Sequence, residues 1–299
     1  MKSFRFPFIF RLYDEAFSSK YYSLRQKMEL YRVLFALWYK NKFFDKSIEQ
    51  SKDKIATQKM FGFKVSGYSY RNLLYLFREI FVSNDYYFET DKSRPKVVDC
   101  GANIGMASIY FKMLYPNCEI LAFEPNPHAF QMLKKNIEDN QLKGVQLFNL
   151  GLSDEEGEID FYLDGDKGSL LGSFESERGG GQSFKVMTKE LSKILDAKES
   201  YDLVKMDVEG AEWQIVKDLL DHELIKCAKE YIVEYHHLMG EQSKHSHEFI
   251  SMFEKNDYRC NVKADFDKKR EFQDMLIYGF LEDVQKDLNS IDSDSFQEG

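Results

Sequence analysis

The sequence predicts an α/β protein built on an open, mostly parallel seven-stranded sheet with helices on both faces. Three observations carry this. From Lys96 onward, short apolar runs alternate with amphipathic segments, the pattern of strand–helix–strand units. The runs Ile120-Leu121-Ala122-Phe123 and Tyr231-Ile232-Val233 are continuously apolar, as strands covered on both faces should be. Finally, Val97-Val98-Asp99-Cys100-Gly101-Ala102-Asn103-Ile104-Gly105 reads as a strand, a tight turn and a helix start. A backbone this thin can lie against a ligand, and the following helix points free N–H groups at it.

Composition bounds the function classes. A chain of 299 residues, 43% apolar, has room for one large core, or a core and an extension. A net charge of −9 disfavours a nucleic-acid partner. Residues 1–60 nevertheless hold 13 Lys/Arg against 6 Asp/Glu, a sum of +7, which leaves −16 for the rest. The four cysteines, Cys100, Cys118, Cys227 and Cys260, form no CxxC pair and read as thiols of a reducing compartment. No run approaches the roughly 18 apolar residues of a membrane span, so a cytoplasmic protein is expected.

Taken in order, residues 1–60 read as a basic, aromatic-rich helical extension. Leu24, Met28, Tyr31, Phe35 and Trp38 step by 4, 3, 4 and 3 and share a helix face, which Leu30, Leu34 and Leu37 widen. Packing on its own domain or on a second copy is favoured for this face. The competing reading is a peripheral membrane or self-association surface through residues 20–45. Residues 61–288 read as the main domain and 289–299 as a disordered tail. Ser69 caps a helix from Tyr70 to about Phe81. Strands are expected at 96–100, 119–123, 145–150, 202–207, 229–235, 257–263 and 275–281, with one more at Glu158–Tyr162. Helices are expected at about 104–115, 127–139, 188–195, 210–220 and 242–256. Residues 163–182 hold six of the 17 glycines and read as a lid or a disordered loop.

The glycine turn fails the dinucleotide fingerprint G-x-G-x-x-G, because Asn103 and Met106 stand where the second and third glycines belong. Its spacing is Asp99-x-Gly101-x-Asn103-x-Gly105. Asp99, at the strand end, suits a cationic or amine-bearing ligand better than a pyrophosphate. Asn103 is among the few side-chain-bearing residues that tolerate a left-handed backbone. Glu124, in Phe123-Glu124-Pro125, ends the next strand 19 residues after Gly105. That is near the spacing of about 20 residues at which an acid reaches a ribose diol, and its two oxygens can accept from both hydroxyls.

Three motifs in this order, Asp99–Gly105, Phe123-Glu124-Pro125 and Lys205-Met206-Asp207-Val208-Glu209-Gly210-Ala211-Glu212, resemble the FkbM-type family of S-adenosylmethionine-dependent methyltransferases. Arg78-Glu79-Ile80-Phe81 with Tyr86-Tyr87 resembles the family's lead-in, and the likeness covers about residues 62–240. The resemblance implies the class I methyltransferase (Rossmann-like) fold with one antiparallel strand. It implies S-adenosylmethionine as cofactor, with Asp99, Gly101, Asn103 and Gly105 around its methionine portion. Glu124, beside Pro125, would hold the ribose, and Asn149 to Ser153 would lie along the adenine. The implied reaction is methyl transfer to a hydroxyl, often of a sugar or glycan precursor. A non-sugar acceptor and a non-catalytic cofactor- or glycan-binding protein are the alternatives.

The third motif carries the chemistry. Asp207 ends one strand and Glu234 and His236 end the next, so they should converge where ligands sit in doubly wound sheets. Methyl transfer needs alignment of the acceptor oxygen and a group to take its proton. Asp207, Glu209, Glu234 and His236 are the candidates, with His236 the first choice of base. Glu209 and Glu212 also suit a helix N-terminus. Asp207, Glu234 and His236 could instead hold Mg or Mn, but a metal-free site is favoured.

Overall fold

The computed structural model describes residues 8–49, 55–163, 172–173, 182–237, 245–264 and 273–282. Two helices come first, α1 (Phe8–Ser18) and α2 (Leu24–Glu49). The buried face of α2 is Leu30, Val33, Leu34 and Leu37, packed with Leu12 and Ala16 of α1. Of the face expected to be buried, Leu30, Leu34 and Leu37 are, and Tyr31 and Trp38 pack half-buried against the core, whereas Leu24 is 67% and Met28 60% exposed, and Phe35 is exposed too. At 3.6 residues per turn Leu24, Met28 and Phe35 lie on a different side of the helix from the four buried residues. Both faces are apolar in sequence, and the positions of α1 and its neighbours decide which one the core takes. Val33→Ala should therefore cost about 2 kcal/mol of stability, and Met28→Ala no more than about 0.5 kcal/mol, as read by urea denaturation.

Residues expected to finish the helical extension instead form a strand. β1 (Ala56–Met60) and β2 (Phe63–Gly67) make an antiparallel hairpin across the expected domain boundary at residue 60. Phe61 and Gly62 turn it at φ of 49° and 89°, the paired left-handed residues of a tight hairpin turn. Ser69 caps α3 (Tyr70–Phe77) as expected, its Oγ accepting from the Asn72 N–H at 3.0 Å. The chain then continues through a π-helical turn, Arg78–Val82, which carries Glu79.

The main sheet begins at β3 (Lys96–Cys100), followed by α4 (Met106–Leu114), β4 (Glu119–Phe123), α5 (Pro127–Asp139) and β5 (Val145–Phe148). Next come the short strands β6 (Gly151–Ser153), β7 (Gly157–Leu163), β8 (Gly172–Ser173) and β9 (Gln182–Glu190). The C-terminal part holds β10 (Tyr201–Met206), α6 (Glu212–Asp221), β11 (Ala228–His237), α7 (Ser246–Glu254), β12 (Tyr258–Ala264) and β13 (Gln273–Leu281). The seven-stranded order is β12-β13-β11-β10-β3-β4-β5, parallel except for β13. This is the class I methyltransferase arrangement. Neighbouring residues of the central strands feed opposite layers: Val97, Leu203 and Ile232 one core, Val98, Val204 and Val233 the other. Among the described residues no helix is long and apolar enough to cross a membrane.

A second sheet, ordered β6-β9-β7-β8, begins three residues after β5 in the chain. Here the helix expected at 188–195 is absent. Residues up to Glu190 belong to β9, and Leu191–Lys193 make one 3-10 turn. The reason is period two: Val186 and Thr188 are buried while Lys185 and Met187 are exposed. Most of the expected lid at 163–182 and the whole tail from 289 lie outside the described residues.

Candidate active site

The turn after β3 is held from two sides. The Gly101 and Ala102 N–H groups both donate to the Phe123 carbonyl, at 3.0 and 2.8 Å. A Cβ on Gly101 would lie 1.7 Å from the Asp207 carbonyl oxygen, and its φ is +77°. Glycine is thus required here twice over, by approach and by conformation. Asn103 has φ of 51°, the left-handed backbone expected for it. Gly105, at φ of 83°, precedes α4 and delays its start to Met106.

Glu124 closes this turn. Its Oε2 accepts the Asn103 N–H and its Oε1 the Asn126 N–H, both at 2.8 Å. Each oxygen keeps a further lone pair for a ligand. Burial pushes the Glu124 carboxyl up to about 7, against the pull of the two N–H donors. Asn149 donates through Nδ2 to the Glu124 carbonyl at 2.8 Å and the Pro125 carbonyl at 3.2 Å. It therefore braces the loop from behind.

Gly101, Asn103 and Glu124 line a cleft at the carboxyl ends of β3, β4 and β10, where the strand order reverses. Gly101, Asn103, Glu124 and Pro125 form one wall, Phe123, Leu150, Leu152 and Phe161 an apolar wall, and Asp207, Val208 and Glu209 a third. Asn149 and Ser153 do not line it; Leu150 and Leu152 beside them do. Sequence reading missed Phe161, which only the pairing of β7 with β9 brings to the mouth.

Asp99 requires a correction. It is fully buried and does not line the cleft. Its Oδ2 accepts from Ser108 Oγ at 2.7 Å, and Lys205 Nζ lies 3.4 Å from Oδ1. The register of β3 against β10 sets Asp99 directly beside Lys205. Lys205 also donates to the Gly101 carbonyl at 2.7 Å. Burial opposes its charge, but Asp99 and Asp207 outweigh that and hold the ammonium well above its ordinary range. The charge partner expected from a ligand is therefore supplied by the fold, and Asp99 acts on the turn through Lys205.

The four residues expected to carry chemistry do come together. His236 is 2% exposed. Its Nδ1 lies 2.7 Å from Glu212 Oε1, and its Nε2 lies 3.1 Å from Glu209 Oε2 and 3.9 Å from Asp207 Oδ1. Tyr86, absent from the candidates, places its hydroxyl 3.3 Å from Asp207 Oδ2 and 3.2 Å from Glu234 Oε2. Glu79 joins them, driven up to about 8 by burial and by Asp207. Glu234 is raised well above the carboxylate range by burial, Asp207 and Glu79. Burial works against a charged His236, but Glu209 and Glu212 prevail and keep its imidazolium well above the ordinary value. That environment makes His236 a clasp between carboxylates, a poor setting for the base expected from sequence.

Known proteins share this framework. The methyltransferase FkbM domain matches residues 99–260. The methyltransferase sdnD of Sordaria araneosa is 32% identical over 191 residues, covering 54% of this chain and 73% of that protein. The 2-O-methyltransferase NoeI of Sinorhizobium fredii is 30% identical over 142 residues, covering 42% of this chain and 58% of its own. The 31-O-demethyl-FK506 methyltransferase FkbM of Streptomyces tacrolimicus is 30% identical over 138 residues, covering 45% and 49%. The family match spans more than half of the chain and contains the turn, Glu124 and the acid–histidine cluster, so the chain belongs to the FkbM family of S-adenosylmethionine-dependent methyltransferases.

Proposed function

We propose that the protein transfers a methyl group to a hydroxyl of a neutral, polyhydroxylated acceptor, a sugar or glycan precursor. The observation that carries this is the cleft's third wall. Asp207 and Glu209 offer only acceptor oxygens there, which take hydrogen bonds from hydroxyls and repel phosphate or carboxylate. The names of NoeI and FkbM both denote O-methylation, which supports the same bond.

The residues of the cleft fit the methyl donor. Glu124 presents free lone pairs to a ribose diol, the Phe123–Leu152–Phe161 wall suits an adenine, and Gly101 and Asn103 leave room along the turn. Bound there, S-adenosylmethionine supplies an electrophilic methyl on a sulfonium. Asp207 and Glu209 orient the acceptor hydroxyl, and one of them takes its proton. A carboxylate suffices for that, because an alcohol oxygen becomes strongly acidic once it begins to bond to carbon. Glu212 and His236 position Glu209, and Tyr86 positions Asp207.

Incubating the chain with methyl-labelled cofactor and panels of sugars, their phosphates and amines tests this reading. Label on neutral polyols supports it; label confined to amines or to anionic acceptors contradicts it. Cofactor binding should also depend on pH. Ribose hydroxyls bind the ionised Glu124, so affinity falls as pH drops through about 7. S-adenosylhomocysteine should bind about tenfold more weakly at pH 6 than at pH 8, and Glu124→Gln should flatten the profile. A wild-type affinity independent of pH over that range would refute the assignment.

A further inference from the structure

Asp207, Glu209 and His236 each bring one ligand atom to a place where all three lie within 4.8 Å of one another. Two come from the loop after β10 and one from β11. The outer ends of two of them are already engaged. Glu212, itself 2% exposed, meets His236 Nδ1 through Oε1, and the Gly210 N–H donates to the same oxygen at 3.1 Å. That contact holds the ring by its Nδ1 side and leaves Nε2 turned toward Glu209 and Asp207. Asp207 is engaged through Oδ2, which meets Tyr86 at 3.3 Å and Lys205 at 3.7 Å, so Oδ1 is the atom turned toward Nε2.

Two carboxylate oxygens and a ring nitrogen of a nine-tenths-buried histidine therefore converge on one place, where a divalent ion would displace the Nε2 proton of the imidazolium. A carboxylate on the far nitrogen of a ligating histidine is the outer-shell arrangement of metal sites. One imidazole and two carboxylates suit a hard to borderline divalent ion and leave positions open on it.

We propose that Asp207, Glu209 and His236 bind one divalent cation, Mn²⁺ or Mg²⁺, at the acceptor end of the cleft. The proposal rests on the methyl-transfer reading for its purpose but not for its test. Asp207 and Glu209 line the cleft beside Val208, so an open position faces the acceptor. The acceptor hydroxyl binds the ion through oxygen, which acidifies its O–H. The oxygen–methyl bond forms as the methyl–sulfur bond breaks, the sulfonium becomes a neutral thioether, and the hydroxyl proton passes by way of Asp207 or Glu209 to solvent. The imidazole ligand makes Mn²⁺ bind more tightly than Mg²⁺.

The test uses the full chain stripped with EDTA and titrated with Mn²⁺, free ion being followed by electron paramagnetic resonance. One site per chain is expected. His236→Ala and Glu209→Gln should each weaken it at least tenfold, and Glu212→Gln, which touches only the outer nitrogen, by about 10–100-fold. Glu209 is 19% exposed, so its variant tests the site even where His236→Ala does not fold. S-adenosylhomocysteine is titrated by calorimetry into the same stripped protein. Cofactor binding without Mn²⁺ binding overturns the metal site and spares the methyltransferase reading; binding of neither overturns both. Mn²⁺ affinity unchanged in Glu209→Gln and Glu212→Gln also overturns it.

Discussion

Replacing Lys205 with methionine is expected to cost the folded state about 3–5 kcal/mol, the usual price of leaving a buried charge without its partner. Lys205 is the only cation within ion-pair reach of Asp99 among the described residues, and no hydrogen bond reaches Asp99 Oδ1. Methionine fills similar volume, so the loss reflects charge more than packing. The variant also removes the donor to the Gly101 carbonyl, so cofactor affinity should fall with stability. Urea denaturation measures the first effect and calorimetry the second. Asp99→Asn combined with Lys205→Met should recover part of the loss, because the stranded charge is gone. A single-variant loss below about 1 kcal/mol would show that the pair is not coupled.

Gly101→Ala should be comparably severe, about 2–6 kcal/mol from backbone strain and overpacking together. The added methyl meets backbone, the Asp207 carbonyl at 1.7 Å, so no side-chain rotation can relieve it. The loop after β10 must move, and it carries Asp207 and Glu209. A lowered denaturation midpoint is expected together with loss of methyl transfer. If the variant keeps both wild-type stability and activity, the close approach of the two loops is wrong.

The parts legible in the sequence are those that local rules determine. Ser69 before the apolar run from Tyr70 marks the start of α3, and Ser69 does cap it, accepting from the Asn72 N–H at 3.0 Å. The failed dinucleotide spacing and the position of Glu124 locate the cleft because both sit at ends of adjacent strands. What was not legible depends on register and layer choice. Asp99 at a strand end resembles a ligand-facing acid until β10 brings Lys205 alongside. Glu212 resembles a helix-capping acid until β11 brings His236 within 2.7 Å. The alternation of β9 was masked by the glycine-rich stretch before it, and α2 carries apolar residues on two faces, of which tertiary packing buries one.

The account's central claim is that the Asp99–Gly105 turn and Glu124 together seat the methyl donor. Calorimetric titration of S-adenosylhomocysteine into the wild-type chain and Glu124→Ala tests it most directly. The account predicts one saturable site per chain, weakened in the variant by about 1–3 kcal/mol, roughly 5- to 150-fold. Folded wild-type protein that binds none, or a Glu124→Ala variant that binds equally well, would contradict it.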